Sequence, residues 1–238
     1  TGRKRGRSIV RGGPGIARRS LAALSACLSW AIDQEMIETN VVSRIKKLPQ
    51  GKKNRFLSSA EARRLLETIA RVQNEMRLAS GFADIIRLLL YTGARRNEIA
   101  ELEWSEVDLE RHLLVLPRHR SKTGEKMITL SPRAEAILAS RFRKDRYVFP
   151  SSKDAERPVV GISRAWQRVR KEAGLPDVRL HDLRHSFASF AAAQGASLLM
   201  IGKALGHTQP ATTARYAHLG HDPILELSAR IGDFINAA

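Results

Sequence analysis

The chain has 238 residues, 43% of them hydrophobic, enough to bury a core as one large domain or two small ones. Forty-one Lys and Arg against twenty-four Asp and Glu leave a net charge of +17, the footprint of a nucleic-acid partner, although an acidic protein or the ribosome would suit the same balance. The single cysteine, Cys27, excludes an internal disulfide and a cysteine-rich zinc site, and 5% aromatic content favours a duplex gripped by its phosphates over a base-stacking platform for single strands.

No apolar run approaches a membrane span, and the first residues are basic and Gly-rich rather than a signal peptide, so a cytoplasmic protein with no membrane partner is expected. Arg3, Lys4, Arg5, Arg7 and Arg11 read as an extended arm, and a start at Thr1 suggests a fragment of a longer protein. Ala17, Leu21, Leu24, Leu28 and Ala31 recur at helical spacing and predict an amphipathic core helix from Ile16 to Ile37. Asn40 to Val42 ends that unit, and Arg44 to Arg55 reads as a basic linker. Thirteen Lys and Arg against three Asp and Glu through Arg55 place +10 of the charge here, either as a solvated run or as a hinge between DNA-clasping domains.

A second domain is expected from about residue 57 to 238. Ser58-Ser59-Ala60-Glu61 is a capping-box pattern ahead of a helix carrying Leu65, Leu66 and Ile69. A buried helix follows from about Leu78 to Tyr91, stopped by Gly93, and then a short helix from Arg95 to Leu102. Leu113 to Leu116 and Met127 to Leu130 predict two strands flanking a basic hairpin tip, and Ser131-Pro132 caps a helix to about Phe142. Val148-Phe149 reads as a short extended piece. Further helices are expected over Ile162 to Ala173, His181 to Ala193, Leu198 to Leu205, Pro210 to Ala217 and Ile224 to Ile235. The fold class is mainly α with a small antiparallel β-sheet.

Several stretches carry chemistry. Of three tyrosines, Tyr91 and Tyr147 keep apolar company, whereas Tyr216 stands among small, polar and basic residues with Arg215 before it and His218 close behind. It is either a packing tyrosine or a nucleophile aimed at an anion. His181-Asp182-Leu183-Arg184-His185 opens a helix, so His181 and Arg184 share a face near a partial positive charge. A phosphate site, structural histidines, and a zinc site using His181 and His185 all remain open readings, the last lacking the acidic residue expected of a hydrolytic metal helix and with Arg184 repelling the ion. Arg95 is expected in the first turn of its helix, a poor place for a cation, with Glu98 available to orient it. Lys122 is a solvated turn lysine or a mobile proton donor.

Thr92-Gly93-x-Arg95 with Glu98, Lys122 on a β-hairpin, His181-x-x-Arg184, Leu205-Gly206-His207, and Tyr216 nine residues later together resemble the catalytic set of the tyrosine recombinases, or phage integrases. The resemblance covers about Leu57 to Ala238, and the helix before it looks like the tail of the family's core-binding domain, giving a 1–50 unit with a linker to about 56. It implies a site-specific recombinase that cleaves and rejoins double-stranded DNA through a 3′-phosphotyrosyl bond, without ATP, metal or cofactor, for a phage or other mobile element. Tyr216 would be the nucleophile, although a free phenol with a pKa of about 10 costs about 4 kcal/mol to ionise at pH 7. Arg95 and Arg184 would fork onto the non-bridging oxygens, Lys122 would protonate the leaving 5′-oxygen, His181 would assist proton transfer, and His207 would hydrogen-bond the phosphate. Glu98, Asp182 and His185 would support them. Lys126 and Arg120 lie close to Lys122 in sequence; Lys122 is preferred because it precedes Thr123-Gly124. The resemblance further implies a homo-tetramer on DNA, coupled by the amphipathic segment Asp222 to Ile235, and accessory DNA-bending or directionality proteins on the nucleoid. A type IB topoisomerase and a non-catalytic DNA-binding module are the alternatives.

Overall fold

The computed structural model describes residues 13–46, 55–120, 124–207 and 209–219, together with 228, 231–233 and 235. The basic arm before Gly13, the linker from 47 to 54, Lys122 and most of the expected Ile224–Ile235 helix lie outside the described residues. The chain divides into two compact units, Thr1–Asn54 and Arg55–Ala238.

In the first unit, helix α1 spans Pro14–Asp33, opened by a proline that is pre-set for the first helical turn. It ends earlier than the apolar spacing predicts, because the chain turns at Gln34 and Glu35 takes a left-handed backbone (φ 56°). The return is pinned by Asn40, whose side chain donates to the Ser25 carbonyl (2.9 Å) and the Ser29 hydroxyl (3.0 Å) and accepts from the Val42 N–H (3.1 Å). None of the α1 residues is buried, so its apolar stripe is not the core helix that the spacing suggests.

The second unit opens with α2, Ser59–Asn74, held at its start by the expected capping box. The Ser58 hydroxyl accepts from the Glu61 N–H (3.2 Å), and the Glu61 carboxylate accepts from the Ser58 N–H (2.9 Å). Helix α3, Ser80–Thr92, is the centre of the core: seven of its thirteen residues are buried, among them Ile85, Ile86 and Leu89. It packs against α2, against α5 (Pro132–Ala139), and against α7 (Asp182–Ala193). The short α4, Arg96–Ala100, follows a tight corner. Three antiparallel strands come next, β1 (Val107–Asp108), β2 (Leu113–Leu116) and β3 (Lys126–Thr129), in the order β1-β2-β3.

The register pairs Leu114 with Ile128 and Leu116 with Lys126. Strand β3 therefore begins one residue earlier than expected and places Lys126 on the inward face with Ile128. Helix α6, Ile162–Glu172, closes the core through Trp166 and Val169. After α7 come α8 (Leu198–Leu205) and α9 (Pro210–Thr213), the last continuing as a 3₁₀ turn over Ala214–Leu219. Tyr216 thus rides on a 3₁₀ turn rather than on the regular helix expected from Pro210 to Ala217.

Candidate active site

Four segments far apart in sequence meet around Arg184. This guanidinium, on the first turn of α7 and only 4% exposed, donates to the Gly93 carbonyl and to the Leu205 carbonyl, each at 2.7 Å. Both acceptors sit at helix ends made by left-handed glycines: Gly93 (φ 64°) closes α3 and Gly206 (φ 65°) closes α8. Neither position has room for a side chain. A Cβ on Gly93 would meet the Phe187 ring at 2.6 Å, and one on Gly206 would meet the Lys126 Cε at 2.9 Å. The glycines let two corners close onto one arginine.

Arg95 occupies the cap position before α4 with an extended backbone (φ −75°, ψ 151°), not the first helical turn. The cation still stands at the positive end of the helix, and the Glu98 carboxylate beside it offsets that position. Glu98 explains the placement: its carboxylate accepts the Arg95 backbone N–H (2.7 Å) and its guanidinium (2.8 Å), satisfying the orphan donor at the helix start while it aims the side chain. The same buried carboxylate accepts from the Lys126 ammonium at 2.7 Å. Burial works to raise the Glu98 pKa, and the Lys126 charge and the Arg95 donors outweigh it, holding the carboxyl below its ordinary value. Lys126 is pulled down to about 8, by burial first and then by Arg184 and Arg95, against the opposing pull of Glu98. Arg184 has no carboxylate in ion-pair reach among the described residues, and burial with the nearby Arg95 charge pushes it down to about 10.

The histidines differ in their partners. His181 is exposed at the start of α7, its pKa lowered by partial desolvation and by Arg184. Its ring stands edge-to-face with His185, with centroids 5.0 Å apart. The His185 Nδ1 is 2.6 Å from the Tyr216 hydroxyl. His207 stands just after the Gly206 corner, its Nδ1 2.8 Å from the Thr213 hydroxyl. Burial pushes both His185 and His207 down to about 4, aided by His181 and Arg215 for the first and by Arg184 and Arg95 for the second. Both rings are neutral at pH 7. Asp182 is buried: it accepts the Arg179 N–H (2.8 Å) and pairs with the Arg179 guanidinium (2.7 Å), tying down the turn that launches α7, and its charge opposes the lowering of the His181 and His185 pKa values.

Tyr216 is 3% exposed and packs with Ala188, Ala192, Ile201 and Leu205. Burial raises its pKa, while Arg215 and Arg184 pull the other way. The phenol is therefore protonated in this conformation and clasped by His185. Arg95, Glu98, Arg184, His207 and Tyr216 are brought into one electrostatic neighbourhood, whereas Lys122 lies outside the described residues. Lys126 is the member that sequence reasoning passed over. Its signal was the alternation Lys126, Ile128, Leu130, which puts the lysine on the core side of a strand while Met127 is exposed. Arg120, the other cation near the hairpin, is engaged by Glu106 (2.9 Å) and Glu101 (2.9 Å).

Residues 55–222 match the phage integrase family. The chain is 28% identical to the integrase of Salmonella phage P22 over 77% of its own length and 48% of that protein's. It is also 28% identical to the tyrosine recombinase XerC of Xanthomonas axonopodis pv. citri, over 86% of this chain and 69% of that one. Among solved structures, the Tn1549 transposon integrase in complex with transposon right end DNA has the same fold at a TM-score of 0.69 and 18% identity, covering 92% of this chain and 79% of that one. A lambda integrase dimer bound to a COC′ core site gives 0.66 at 20% identity, covering 84% and 74%. The chain spans about half the length of the P22 integrase it matches.

Proposed function

Since the chain belongs to the phage integrase family, we propose that it is the catalytic portion of a site-specific DNA recombinase that integrates or excises a mobile element, with Tyr216 as nucleophile. The observation that carries this reading is the unbalanced charge of Arg184. A buried guanidinium that among the described residues hydrogen-bonds to carbonyls alone, with Arg95, His207 and the Tyr216 hydroxyl nearby, is a site suited to an anion of phosphate size. A duplex partner also accounts for the net charge of +17.

In this mechanism Arg95 and Arg184 hold the two non-bridging oxygens of the scissile phosphodiester and stabilise the charge that accumulates there. Tyr216 Oη bonds to phosphorus as the bond to the 5′-oxygen breaks. His181, neutral at pH 7, takes the phenolic proton, and Lys122 protonates the departing 5′-oxygen. His207 donates to the phosphate. The reverse attack by a 5′-hydroxyl rejoins the strand, so the bond energy is kept and ATP is not needed. Lys122 suits the proton-donor role because Arg120 and Lys126 are both committed to carboxylates. Since the resting phenol is buried and clasped by His185, DNA binding must release it, and the short α9 and 3₁₀ segment is the element that moves. The 1–50 unit is the remainder of a core-binding domain, with a linker to about 56. Four copies assemble on DNA, coupled through the Asp222–Ile235 segment and aided by DNA-bending or directionality proteins on the nucleoid.

The test is a suicide substrate carrying the element's attachment site, nicked beside the cleavage point. A covalent protein–DNA adduct forms in EDTA with the wild type and is absent with Tyr216→Phe. Absence of any adduct from the wild type on its own site would falsify the catalytic reading, and relaxation of plasmids that lack the site would mark a topoisomerase instead.

A further inference from the structure

Lys126 is a buried cation in a site already rich in cations, and the mechanism above gives it no step. Its stem lies along the Gly206 corner, so closely that a Cβ there would sit 2.9 Å from its Cε. Its ammonium ends on Glu98 at 2.7 Å, and the other oxygen of Glu98 holds the Arg95 guanidinium at 2.8 Å. The next residue after Gly206 is His207. One side chain therefore touches both the part of the site that aims Arg95 and the part that presents His207.

We propose that Lys126 is a positioning residue that locks the Arg95–Glu98 pair to the Gly206–His207 turn, so that the two halves of the phosphate cradle are set as one piece. The inference rests on the recombinase reading for its consequence in catalysis, though not for the link itself. The charged groups around Lys126 are Glu98 and Arg95 at the α4 corner and Arg184 from α7, and the neutral, titratable His207 lies after α8. Among these only Glu98 attracts it. Without Lys126, Glu98 keeps Arg95 alone as a cationic partner and is drawn toward it, so the guanidinium is held more tightly by the protein and is less available to an anion. The Gly206 corner would also lose the stem that supports it. A proton donor, by contrast, must point its N–H at the leaving oxygen. Lys126 directs its ammonium at a buried carboxylate instead, which separates its role from that assigned to Lys122.

The test uses Lys126→Met, which keeps the length of the stem and removes the charge. Adduct formation on the suicide substrate should fall about 30-fold while DNA binding stays within about threefold. A substrate with sulfur replacing the leaving 5′-oxygen separates positioning from proton donation, because a thiolate departs without a proton. That substrate should restore Lys122→Ala and leave Lys126→Met slow. In DNA-free protein, proton NMR titration of the His207 ring, assigned with His207→Gln, should move up from about 4 in Lys126→Met, because a neighbouring cation has gone. If Lys126→Met does not fold, Lys126→Met with Glu98→Gln removes both charges of the buried pair and should show the same unrescued loss. Wild-type rates in the variant, rescue by the thio substrate, or an unmoved His207 titration would each overturn the proposal. If the wild type forms no adduct, the recombinase reading fails, and a crystal structure of Lys126→Met decides the link: an unmoved Gly206–His207 turn and an unmoved Arg95–Glu98 pair would overturn it.

Discussion

At the corner before α4, Arg95 meets the Glu98 carboxylate through both its guanidinium and its backbone N–H, whereas at the start of α7 Arg184 meets, among the described residues, the carbonyls of Gly93 and Leu205 and no carboxylate. Both arginines are oriented by two contacts. They differ in what those contacts do to charge. A carboxylate offsets charge as it orients, so Arg95, 26% exposed, has part of its field met by Glu98, which it shares with Lys126. Carbonyl dipoles orient without neutralising, so Arg184 keeps a full charge in a buried place, and its pKa drops to about 10 as the sign of that stress. Arg184 is the stronger anion magnet of the two, and Arg95 is the better-tethered one.

The sharpest way to break this comparison is Arg184→Ala, which should cut adduct formation by at least about 10³-fold with DNA binding nearly kept. Arg184→Lys should recover little of that rate, since a lysine has no fork to span two carbonyls. Arg95→Ala should cost less, about 10²-fold, because its field is already shared with Glu98. A loss of binding equal to the loss of rate in either variant would reduce that arginine to a simple phosphate grip. Next comes stability. Glu98→Gln strands the buried Lys126 ammonium and should lower unfolding free energy by about 3 kcal/mol in urea titration. Gly93→Ala should cost about 2 kcal/mol, because the left-handed backbone and the Phe187 ring both oppose the added methyl, and the Arg184 acceptor would shift with it.

A smaller effect is expected of His185→Ala, which removes one partner of the buried Tyr216 hydroxyl and should cost about 1 kcal/mol. The mildest test is pH. His185 and His207 titrate near 4 in the folded protein against an ordinary value of 6.5, so between those limits the unfolded chain binds more protons. Their contribution is complete above about pH 6.5 and is lost as pH falls through 4. Thermal midpoints should decline across that window, and the decline should flatten in a His185→Gln/His207→Gln double variant.

Much of this site was legible before any coordinates. The Gly93 stop, the capping box at Ser58 and the helix opening at His181 are local devices, and local devices leave local spacing in a sequence. Arg95 was placed in the wrong part of its helix by one residue, and that residue mattered: at the cap, its backbone N–H and side chain can share Glu98. Lys126 entered the sequence reading only as a neighbour of Lys122, and its strand was started one residue later, because a lysine is the least expected occupant of an inward strand position. The Tyr216–His185 contact spans two elements with no shared spacing, so no pattern along the chain announced it.

The sequence by itself determined the chemical inventory: a basic, mostly helical chain carrying Arg95, His181, Arg184, His207 and Tyr216, in an order that resembles the phage integrases. Residue types and short-range periods are enough for that, since side-chain chemistry and helix or strand faces are local properties. Only the tertiary structure decided how the charges are divided. Whether an arginine ends on a carboxylate or on carbonyls, and whether a lysine is buried against a glycine, depends on which distant corners the core brings together. Around α3 and α7 that packing left Arg184 with its charge unspent and gave Glu98 to both Arg95 and Lys126.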